Sequence, residues 1–420
     1  AALPAHLDPR WIHQPLRYAG TASHRQRRLQ AAQVVWLVIG MALYRNATIE
    51  NIVERLDLAL PDKRGTLLAK STIAQARQRL KDLALEYLFT VTAAEWSARS
   101  ADQDRWRGFA LYGWDGTTLR VPDSPENREE FGGQHSHRGD SGYPQVRVVA
   151  AMALRSHVLS DFRFADYHTG ETTLARGLWD SMPENSLAIF DRNFLIKGQL
   201  VRFETKGNRH WLTRAKSNTR FAVVKHLGTN DELVELEIKE PGMPSTWQIR
   251  AIHYQRRGYP RATLLTSLTD AEAYPAAELV ALYHERWELE IAYDEIKTHL
   301  LQRHEAIRSR SPEGVRQELW GIALVYNLIR LEMERAAAEL GVSPTRISFT
   351  AAAMHIVSEL SWLRAQRLAL GNIPSRLERI RQRIKRLVLP ERRTERIYPR
   401  AVKRKMSNYP RKRPKKAARK

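Results

Sequence analysis

The feature that most restricts how this chain can fold is a set of four strand-like segments between about residues 108 and 194. They are rich in β-branched and aromatic residues, as strands are: GFALYGWDGTTLRVP, YPQVRVVAAMAL, HVLSDFRFADY and NSLAIFDRNF. The third and fourth are separated by TGETTLARGLWDSM, which predicts a helix opened by Thr169 or Gly170. Because a helical crossover favours parallel strands, we expect the fourth strand to lie parallel to the first in a mixed α/β core.

The regions flanking this core have other patterns. From about 25 to 100 the periodicity is helical, with an interruption at Pro61 and Gly65, and no strand is predicted. From about 207 to 267, strand-like segments alternate with Gly, Asn, Asp and Pro turns, and helical periodicity resumes at Ala276. The predicted fold class is therefore α/β, with a mixed-sheet core interrupted by an all-β insertion, a helical N-terminal domain and a helical, basic C-terminal region.

Net charge restricts the partners of the chain. Lys and Arg number 68 against 46 Asp and Glu, giving a formal charge of +22. This excess predicts a polyanionic partner and leaves DNA, RNA and an anionic membrane surface open.

The longest apolar run, at 34–44, is about half the length of a membrane span, so no membrane or export segment is predicted. Zero cysteines exclude disulfides and thiolate metal sites and fit a reducing cytoplasm, whereas 14 histidines leave zinc open.

Two basic segments are candidate DNA contacts. KSTIAQARQRL predicts a helix with Ser71 or Thr72 as N-cap and with Arg77 and Arg79 exposed, as in a helix lying across a DNA groove. A solvated basic helix face explains this pattern equally well. The last thirty residues are strongly basic and contain three prolines, which favours an extended tail whose Lys and Arg side chains contact phosphates. Its central candidates are Arg411, Lys412 and Arg413.

Three carboxylates are candidates for catalysis. Asp115 lies within LYGWDGTTL and Asp191 ends the apolar run LAIFD. Aspartate is depleted in strands and costly to bury without a partner, so two such residues indicate a cation or hydrogen-bond donors nearby. If their strands are adjacent, a helix packed on them could add Glu290. Three acidic ligands select a hard cation such as Mg²⁺ or Mn²⁺, and two such ions suit in-line displacement at phosphorus. The alternative is that both aspartates are ordinary turn residues.

The predicted helix YHERWELEIAYDEIKTHL carries a polar stripe beside its buried face. At 100° per residue, Tyr283, Arg286, Glu290 and Lys297 fall within an arc of about 60°. The stripe borders the apolar positions instead of opposing them, so its charges are held against the protein body. The structural alternative is an Arg286–Glu290 ion pair with a snorkelling Lys297 on an ordinary amphipathic helix.

Together these residues resemble the DDE transposases of bacterial insertion sequences, in the branch called insertion-sequence family four. The resemblance rests on Tyr283-x₂-Arg286-x₃-Glu290-x₆-Lys297, with Asp115 in WDGTTL and Asp191 in FDRNF, and it covers most of the chain. It implies an RNase H-like catalytic core and two Mg²⁺ ions, replaceable by Mn²⁺, on the three acids. It also implies that the tyrosine, arginine and lysine contact backbone phosphate, and that a homodimer moves DNA by cut and paste.

On this resemblance, the expected function is a metal-dependent transposase that binds terminal inverted repeats, hydrolyses DNA at the element ends and joins the 3′-hydroxyl ends to target DNA. Two other functions stay open from the residues: a structure-selective nuclease on the same fold, and a non-catalytic architectural DNA-binding protein. The expected organisation is a helical DNA-binding domain at 1–105, core segments at 106–206 and 271–340, a β insertion at 207–270, a helical region at 341–390 and a basic tail at 391–420.

Two further patterns are weaker. His135, His137 and Asp140 in FGGQHSHRGDSGYP match no firm metal template, so a flexible loop near DNA is favoured over a zinc site. Trp211 and Trp247 lie in the predicted insertion, where relatives use an aromatic side chain to hold an extruded base, but tryptophans in strands more often pack.

Overall fold

The computed structural model describes residues 9–21, 28–58, 68–136, 139–140, 142–256, 259–302, 307–365 and 373–390. Its strands are β1 (Ala110–Arg120), β2 (His135–Ser136), β3 (Gly139–Asp140), β4 (Gln145–Ala153), β5 (Leu159–Asp166), β6 (Ser186–Phe190), β7 (Arg209–Arg214), β8 (Ala222–Gly228), β9 (Asp231–Glu237), β10 (Thr246–Tyr254) and β11 (Ala262–Thr266).

The α-helices before and between the strands are α1 (Pro9–Tyr18), α2 (Ala31–Leu43), α3 (Ile49–Arg55), α4 (Lys70–Leu80), α5 (Leu83–Asp102), α6 (Pro125–Phe131), α7 (Glu171–Leu174), α8 (Arg176–Ser181) and α9 (Lys197–Glu204). Those after the last strand are α10 (Ala276–His284), α11 (Trp287–Asp294), α12 (Pro312–Leu340), α13 (Phe349–Ala365) and α14 (Ile373–Ile384). A π-helix, Glu295–Leu300, follows α11 directly.

Among the described residues, nine strands form one mixed sheet in the order β5-β4-β1-β6-β7-β11-β10-β9-β8. β5, β4 and β1 are antiparallel, β1, β6 and β7 are parallel, and the remaining pairs are antiparallel. The predicted mixed α/β class is confirmed, and so is the parallel pairing of the first and fourth predicted strands. The strands predicted between 207 and 267 also form, and they continue the sheet that begins with the core strands.

The two faces of the sheet carry separate apolar cores. Trp114, Phe190 and Trp211 point to one face, where they pack with residues of α8 and α9. Leu111, Ile189 and Leu212, which have the opposite parity on the same strands, point to the other face. Because side chains alternate along a strand, a near-continuous apolar run such as SLAIF in β6 supplies both cores at once.

The N-terminal helices share the second of these cores with α12. α2 is apolar on nearly every side, and such a helix is stable when it is surrounded by protein. It lies close against α12 at Gly321, where an added Cβ would come 2.7 Å from Val38 Cγ1 and 3.0 Å from Val38 O. The apolar run at 34–44 is therefore the inner helix that joins the N-terminal region to the body of the protein.

α12 is the longest described helix, and local sequence signals set both of its ends. Ser311 caps the first turn by accepting a hydrogen bond from the N–H of Gly314, and Pro312 occupies a position where its missing N–H costs nothing. Gly341 ends the helix in the left-handed conformation with φ +66°. No helix within the described ranges combines the length and the apolar character needed to cross a membrane.

Candidate active site

Two aspartates lie at the same level on neighbouring strands. Trp114 of β1 pairs in parallel register with Phe190 of β6, and an aspartate follows each of them. The two rings stack with centroids 4.7 Å apart. Since side chains alternate between the faces of a sheet, Asp115 and Asp191 lie on the opposite face, where Leu289 of α11 belongs to the apolar core. The condition stated from the sequence, that the strands carrying the two aspartates are adjacent, is met.

Asp115 is a largely buried carboxylate within β1. Its Oδ1 accepts a hydrogen bond from the N–H of Gly116 at 2.8 Å. Burial raises the pKa of Asp115 to about 6. The charges of Asp191 and Glu171 act in the same direction, whereas the Gly116 N–H and the Arg286 guanidinium act against it. The local environment therefore disfavours the ionised form, and an additional cation would stabilise it.

Asp191 has a second role at the end of β6. It is the N-cap of a short 3₁₀ turn, Arg192–Phe194, and its carboxylate accepts a hydrogen bond from the N–H of Asn193 at 3.0 Å. The backbone of Asp191 is extended, with φ −70° and ψ 153°. The local sequence DRNF thus fixes the orientation of the aspartate directly after the strand that carries it.

The segment with the polar stripe is not the single regular helix that the sequence predicts. α10 ends at His284, and the N–H groups of Glu285 and Arg286 bond to carbonyls three residues back, in a tighter turn. α11 then runs to Asp294 and widens into the π-helix from Glu295. The prediction that the four polar residues share one arc of a regular helix was therefore wrong. It assumed a constant rotation of 100° per residue, whereas the rotation in these irregular turns depends on contacts with other elements.

The π-helix is anchored in the protein interior. Glu295 accepts a hydrogen bond from the hydroxyl of Tyr326 at 2.7 Å and is paired with Arg330, both on α12. Burial alone would raise the pKa of Glu295, but Arg330 and His157 outweigh it and hold the pKa at about 2. His157 Nε2 also lies 2.9 Å from the carboxylate of Glu288 on α11. These contacts hold the segment against His157 and α12.

Arg286 and Glu290 form an ion pair, with Nη2 and Oε1 3.0 Å apart. Their side chains are 19% and 37% exposed, so the pair borders solvent at the edge of the site. Burial would lower the pKa of Arg286, but Tyr283, Glu290 and Asp115 together raise it. The ion pair considered from the sequence is present, and its guanidinium also interacts with Asp115.

Lys297 and Tyr283 lie near the same aspartates. Lys297 Nζ donates a hydrogen bond to the hydroxyl of Thr117, two residues beyond Asp115 on β1. Burial lowers the pKa of Lys297, and Asp115 opposes this effect. Burial raises the pKa of Tyr283 to about 12, and the charge of Asp191 adds to the increase. The structure therefore places Tyr283, Arg286 and Lys297 near one or other aspartate despite the irregular helix. The fourth residue of the stripe, Glu290, is paired with Arg286.

Arg214 is a neighbour of the site for which the sequence gave no prediction. It follows Thr213 on β7, and Thr213 pairs with Phe190, so Arg214 lies level with Asp191 on the next strand. Arg214 also contributes to the electrostatic environment of Tyr283. The signal that could have identified it is an apolar strand that ends in a charged residue, HWLTR, which repeats the pattern of LAIFD.

Glu171 is a second such neighbour. Its carboxylate lies 3.0 Å from Arg147 Nη1, and a Cβ added at Gly116 would come 2.3 Å from its carboxyl carbon. Gly116 therefore lets this acid approach the backbone directly after Asp115. The segment TGETT predicted a helix start, but it gave no indication that the helix begins beside Asp115.

The prediction for the basic helix α4 is partly wrong. Its N-cap is Ala69 instead of Ser71 or Thr72. Arg77 is not exposed, because its guanidinium donates to Gln317 Oε1, to Ser309 Oγ and to the carbonyl of Gly314. Burial lowers the pKa of Arg77. Its hydrogen bonds to Gln317 and Gly314 join α4 to the first half of α12.

The other candidates divide between exposed, buried and undescribed positions. Arg79 is exposed. Trp211 and Trp247 are 0% and 7% exposed, and both indoles donate to Glu204, at 2.5 and 3.2 Å, which favours packing over base binding. The basic tail with Arg411, Lys412 and Arg413 lies outside the described residues.

The predicted loop with the histidines contains a short β-hairpin, in which His135 pairs with Asp140, while His137 is not among the described residues. Within the described ranges, no three side chains of the His, Cys, Asp or Glu type are grouped closely enough to hold a metal ion. Glu290 in particular is paired with Arg286.

Comparison with known proteins identifies the family. The Transposase DDE domain family matches residues 114–328, and the family described as Insertion element 4 transposase N-terminal matches residues 1–90. Transposase InsG for insertion sequence element IS4 of Escherichia coli (strain K12) is 36% identical over 418 residues, covering 97% of this chain and 93% of that protein. The chain belongs to the IS4 family of DDE transposases. It is a transposase of an insertion sequence and a DNA-cleaving enzyme, so the two alternative functions considered from the sequence are set aside.

Two further proteins are similar over different extents. The putative transposase InsZ of the same organism is 38% identical over 216 residues, which is 51% of this chain and 71% of that protein. A cryo-EM structure of the piggyBac transposase synaptic complex with hairpin DNA covers 93% of this chain and 85% of that chain, with a TM-score of 0.44 at 10% identity. A structural likeness at this level supports no inference of its own. The DDE family uses divalent metal ions.

Proposed function

We propose that this IS4-family transposase moves its element by cut and paste, with Asp115, Asp191 and Glu290 as the catalytic carboxylates. The observation that carries the proposal is the matched register of two aspartates on adjacent parallel strands, beneath the helix that presents Glu290. The family assignment supplies the reaction class, and the register supports the choice of the two aspartates. The choice of Glu290 rests on its place in the motif from Tyr283 to Lys297. The DNA partners are the terminal repeats of the element and the target, and the active assembly is a homodimer working at the bacterial nucleoid in the cytoplasm.

We further propose that the central strands form an RNase H-like core. The proposed core has the strand order β5-β4-β1-β6-β7. β5, β4 and β1 pair antiparallel, and β6 and β7 are parallel to β1. β7 then belongs to the core, and the insertion consists of β8 to β11, which precede the helices with the third acid. This order supports the proposal because β1 and β6 are neighbours, so Asp115 on β1 lies level with Asp191, which directly follows β6.

The three acids proposed as catalytic are side chains of the type that binds a divalent cation through oxygen ligands. The chemistry of the donors is appropriate, since three carboxylates without sulfur favour Mg²⁺, with Mn²⁺ as a substitute. Burial raises the pKa of Asp115, so a bound cation would stabilise its ionised form. When bound, two Mg²⁺ ions would polarise the phosphodiester and lower the pKa of the attacking water.

The cationic residues have a complementary task. A DNA phosphate is anionic and must approach three carboxylates, so fixed positive charge is needed at the same place. Arg286 is paired with Glu290 and interacts electrostatically with Asp115, and Lys297 donates a hydrogen bond to Thr117 of β1. We assign these two residues and Tyr283 to the backbone phosphate beside the cleaved bond. Arg214, level with Asp191, is positioned to contribute to the same phosphate site.

The transferred strand undergoes two displacements at phosphorus. Water first attacks the phosphodiester at the end of the element, which leaves a 3′-hydroxyl on the element and a 5′-phosphate on the flanking DNA. That hydroxyl then attacks a target phosphodiester, forming one new bond and breaking one. The carboxylates are suited to hold the site in place during both steps, and the arginine and lysine are suited to offset the charge that develops on the phosphate.

The test uses DNA carrying the terminal repeats of the encoding element, with and without Mg²⁺. Asp115→Asn, Asp191→Asn and Glu290→Gln should each abolish cleavage and strand joining while end binding is retained, because each change removes a ligand charge but little volume. Asp180→Asn, at a side chain 83% exposed, is the matched control and should cleave normally. Near-normal cleavage by any of the three variants would show that its residue is not catalytic, and cleavage without joining would indicate a nuclease.

A further inference from the structure

Tyr293 links the Glu290 helix to the strand that carries Asp115. It lies on α11, three residues after Glu290. Its hydroxyl donates a hydrogen bond to the backbone carbonyl of Asp115 at 2.5 Å and accepts one from the N–H of Ala150 at 3.0 Å. Asp115 and Ala150 are cross-strand partners of β1 and β4. One side-chain hydroxyl on the helix therefore joins two strands at the position of the candidate catalytic aspartate.

A second contact lies one helical turn earlier. A Cβ added at Gly113 would come 3.1 Å from Leu289 Cδ1, so the absence of a side chain there lets α11 approach β1 closely. Leu289 and Tyr293 are four residues apart and share one helix face, while Gly113 and Asp115 are two apart and share one sheet face. These two contacts flank Glu290 on the helix. They fix both the height of the helix above the strand and its position along it.

The hydroxyl of Tyr293 is suited to this linking role. A hydroxyl can donate and accept at once, so it serves the Asp115 carbonyl and the Ala150 N–H together. The aromatic ring has few rotatable bonds, and the hydrogen bonds at its far end leave little freedom. Removing the hydroxyl would leave a backbone carbonyl and an N–H without this partner next to Asp115.

We propose that Tyr293 is a positioning residue that sets the separation between the carboxylates of Asp115 and Glu290. The inference rests on the proposed function, since it matters only if these two acids act together. The acids are on different elements, so their separation depends on how α11 docks on β1. Small errors in such a separation are expensive, because a displacement of about 1 Å can cost about a hundredfold in rate.

The test compares Tyr293→Phe with Tyr326→Phe. Both changes remove one hydroxyl from a buried hydrogen bond involving the segment from Trp287 to Leu300, but Tyr326 bonds to Glu295 and does not touch Asp115. End binding without metal, thermal unfolding, Mn²⁺ binding followed by electron paramagnetic resonance, and cleavage at saturating DNA would be measured for each. Tyr293→Phe should slow cleavage about tenfold or more and weaken Mn²⁺ binding, with end binding retained.

Tyr326→Phe should lower the unfolding temperature about as much as Tyr293→Phe does. It should leave cleavage at saturating DNA within about twofold of wild type. Equal rate losses in the two variants, or wild-type cleavage by Tyr293→Phe, would overturn the positioning role. Asp115→Asn is included to separate the two levels of inference. If it still cleaves, the proposed function fails; if it is inactive while Tyr293→Phe is normal, only the role of Tyr293 fails.

Discussion

Replacing Asp115 by Asn should stabilise the metal-free protein at neutral pH while removing its cleavage activity. The pKa of Asp115 rises from 3.8 to about 6, chiefly through burial. A shift of about two units corresponds to about 3 kcal/mol of folding free energy that the ionised group costs above pH 6. Asn has nearly the same volume, and its Oδ1 can still accept the hydrogen bond from the Gly116 N–H, which lies 2.8 Å from the carboxylate. The variant therefore avoids this cost.

The pH dependence has a definite sign. A carboxyl group whose pKa is raised binds its proton more tightly in the folded state than in the unfolded state. Its favourable contribution to stability is complete below the unfolded pKa of 3.8 and is lost as pH rises through the folded value of about 6. Since Asn does not titrate, the advantage of the variant should grow from about 1.6 kcal/mol near pH 5 to about 3 kcal/mol near pH 7.5.

The assay is thermal unfolding in a metal chelator at several pH values, repeated with saturating Mg²⁺. Asp180→Asn, at a side chain 83% exposed, is the control and should follow the wild type at every pH. Mg²⁺ should raise the unfolding temperature of the wild type more than that of Asp115→Asn, because a ligand stabilises the state that binds it. If Asp115→Asn is less stable than wild type near neutral pH, or if its advantage does not change with pH, the account of Asp115 as an uncompensated buried acid is wrong.

Other changes test different parts of the structure. Lys297→Ala should slow cleavage at every Mg²⁺ concentration; rescue by more metal would contradict its assignment to phosphate. Arg330→Met should lower the free energy of unfolding by about 3–5 kcal/mol in urea titrations, since it removes the guanidinium that pairs with the buried carboxylate of Glu295. Gly321→Ala should cost about 1–3 kcal/mol by overpacking the contact between α2 and α12, whereas Gly142→Ala, with no atom within 4 Å of the added Cβ, should be neutral. Deleting residues after Pro399 should flatten the salt dependence of DNA binding, and an unchanged slope would show that the tail does not contact DNA.

The sequence by itself was sufficient to predict most strands and helices and to identify acidic residues as candidates for the site. The four strands predicted between 108 and 194, the five predicted between 207 and 267 and the start of helix at Ala276 follow from alternation, β-branched content and turn residues, and the structure confirms them. Asp115 and Asp191 stood out because a charged residue inside or directly after an apolar strand is costly without a partner. These are local signals, since each depends on residues within a few positions of one another.

The tertiary structure decided which residues meet. Arg77 looked exposed because helical periodicity cannot detect α12, which covers it. Arg214 was overlooked because its place beside Asp191 follows from the pairing of β7 with β6. The irregular turns between α10 and the π-helix could not be inferred from the assumed 100° per residue, and the buried pair of Glu295 with Arg330 joins residues 35 positions apart.

The separation between Asp115 and Glu290 is also decided by the tertiary structure. The sequence placed Asp115 on a strand and Glu290 on a helix, but no local pattern states how closely a helix packs on a strand. That distance depends on the missing side chain at Gly113 and on the hydroxyl of Tyr293, which act across more than 170 positions of the chain. Local propensities select secondary structure through short-range backbone energetics, whereas an active site is assembled by side-chain packing and hydrogen bonds between elements that are distant in sequence.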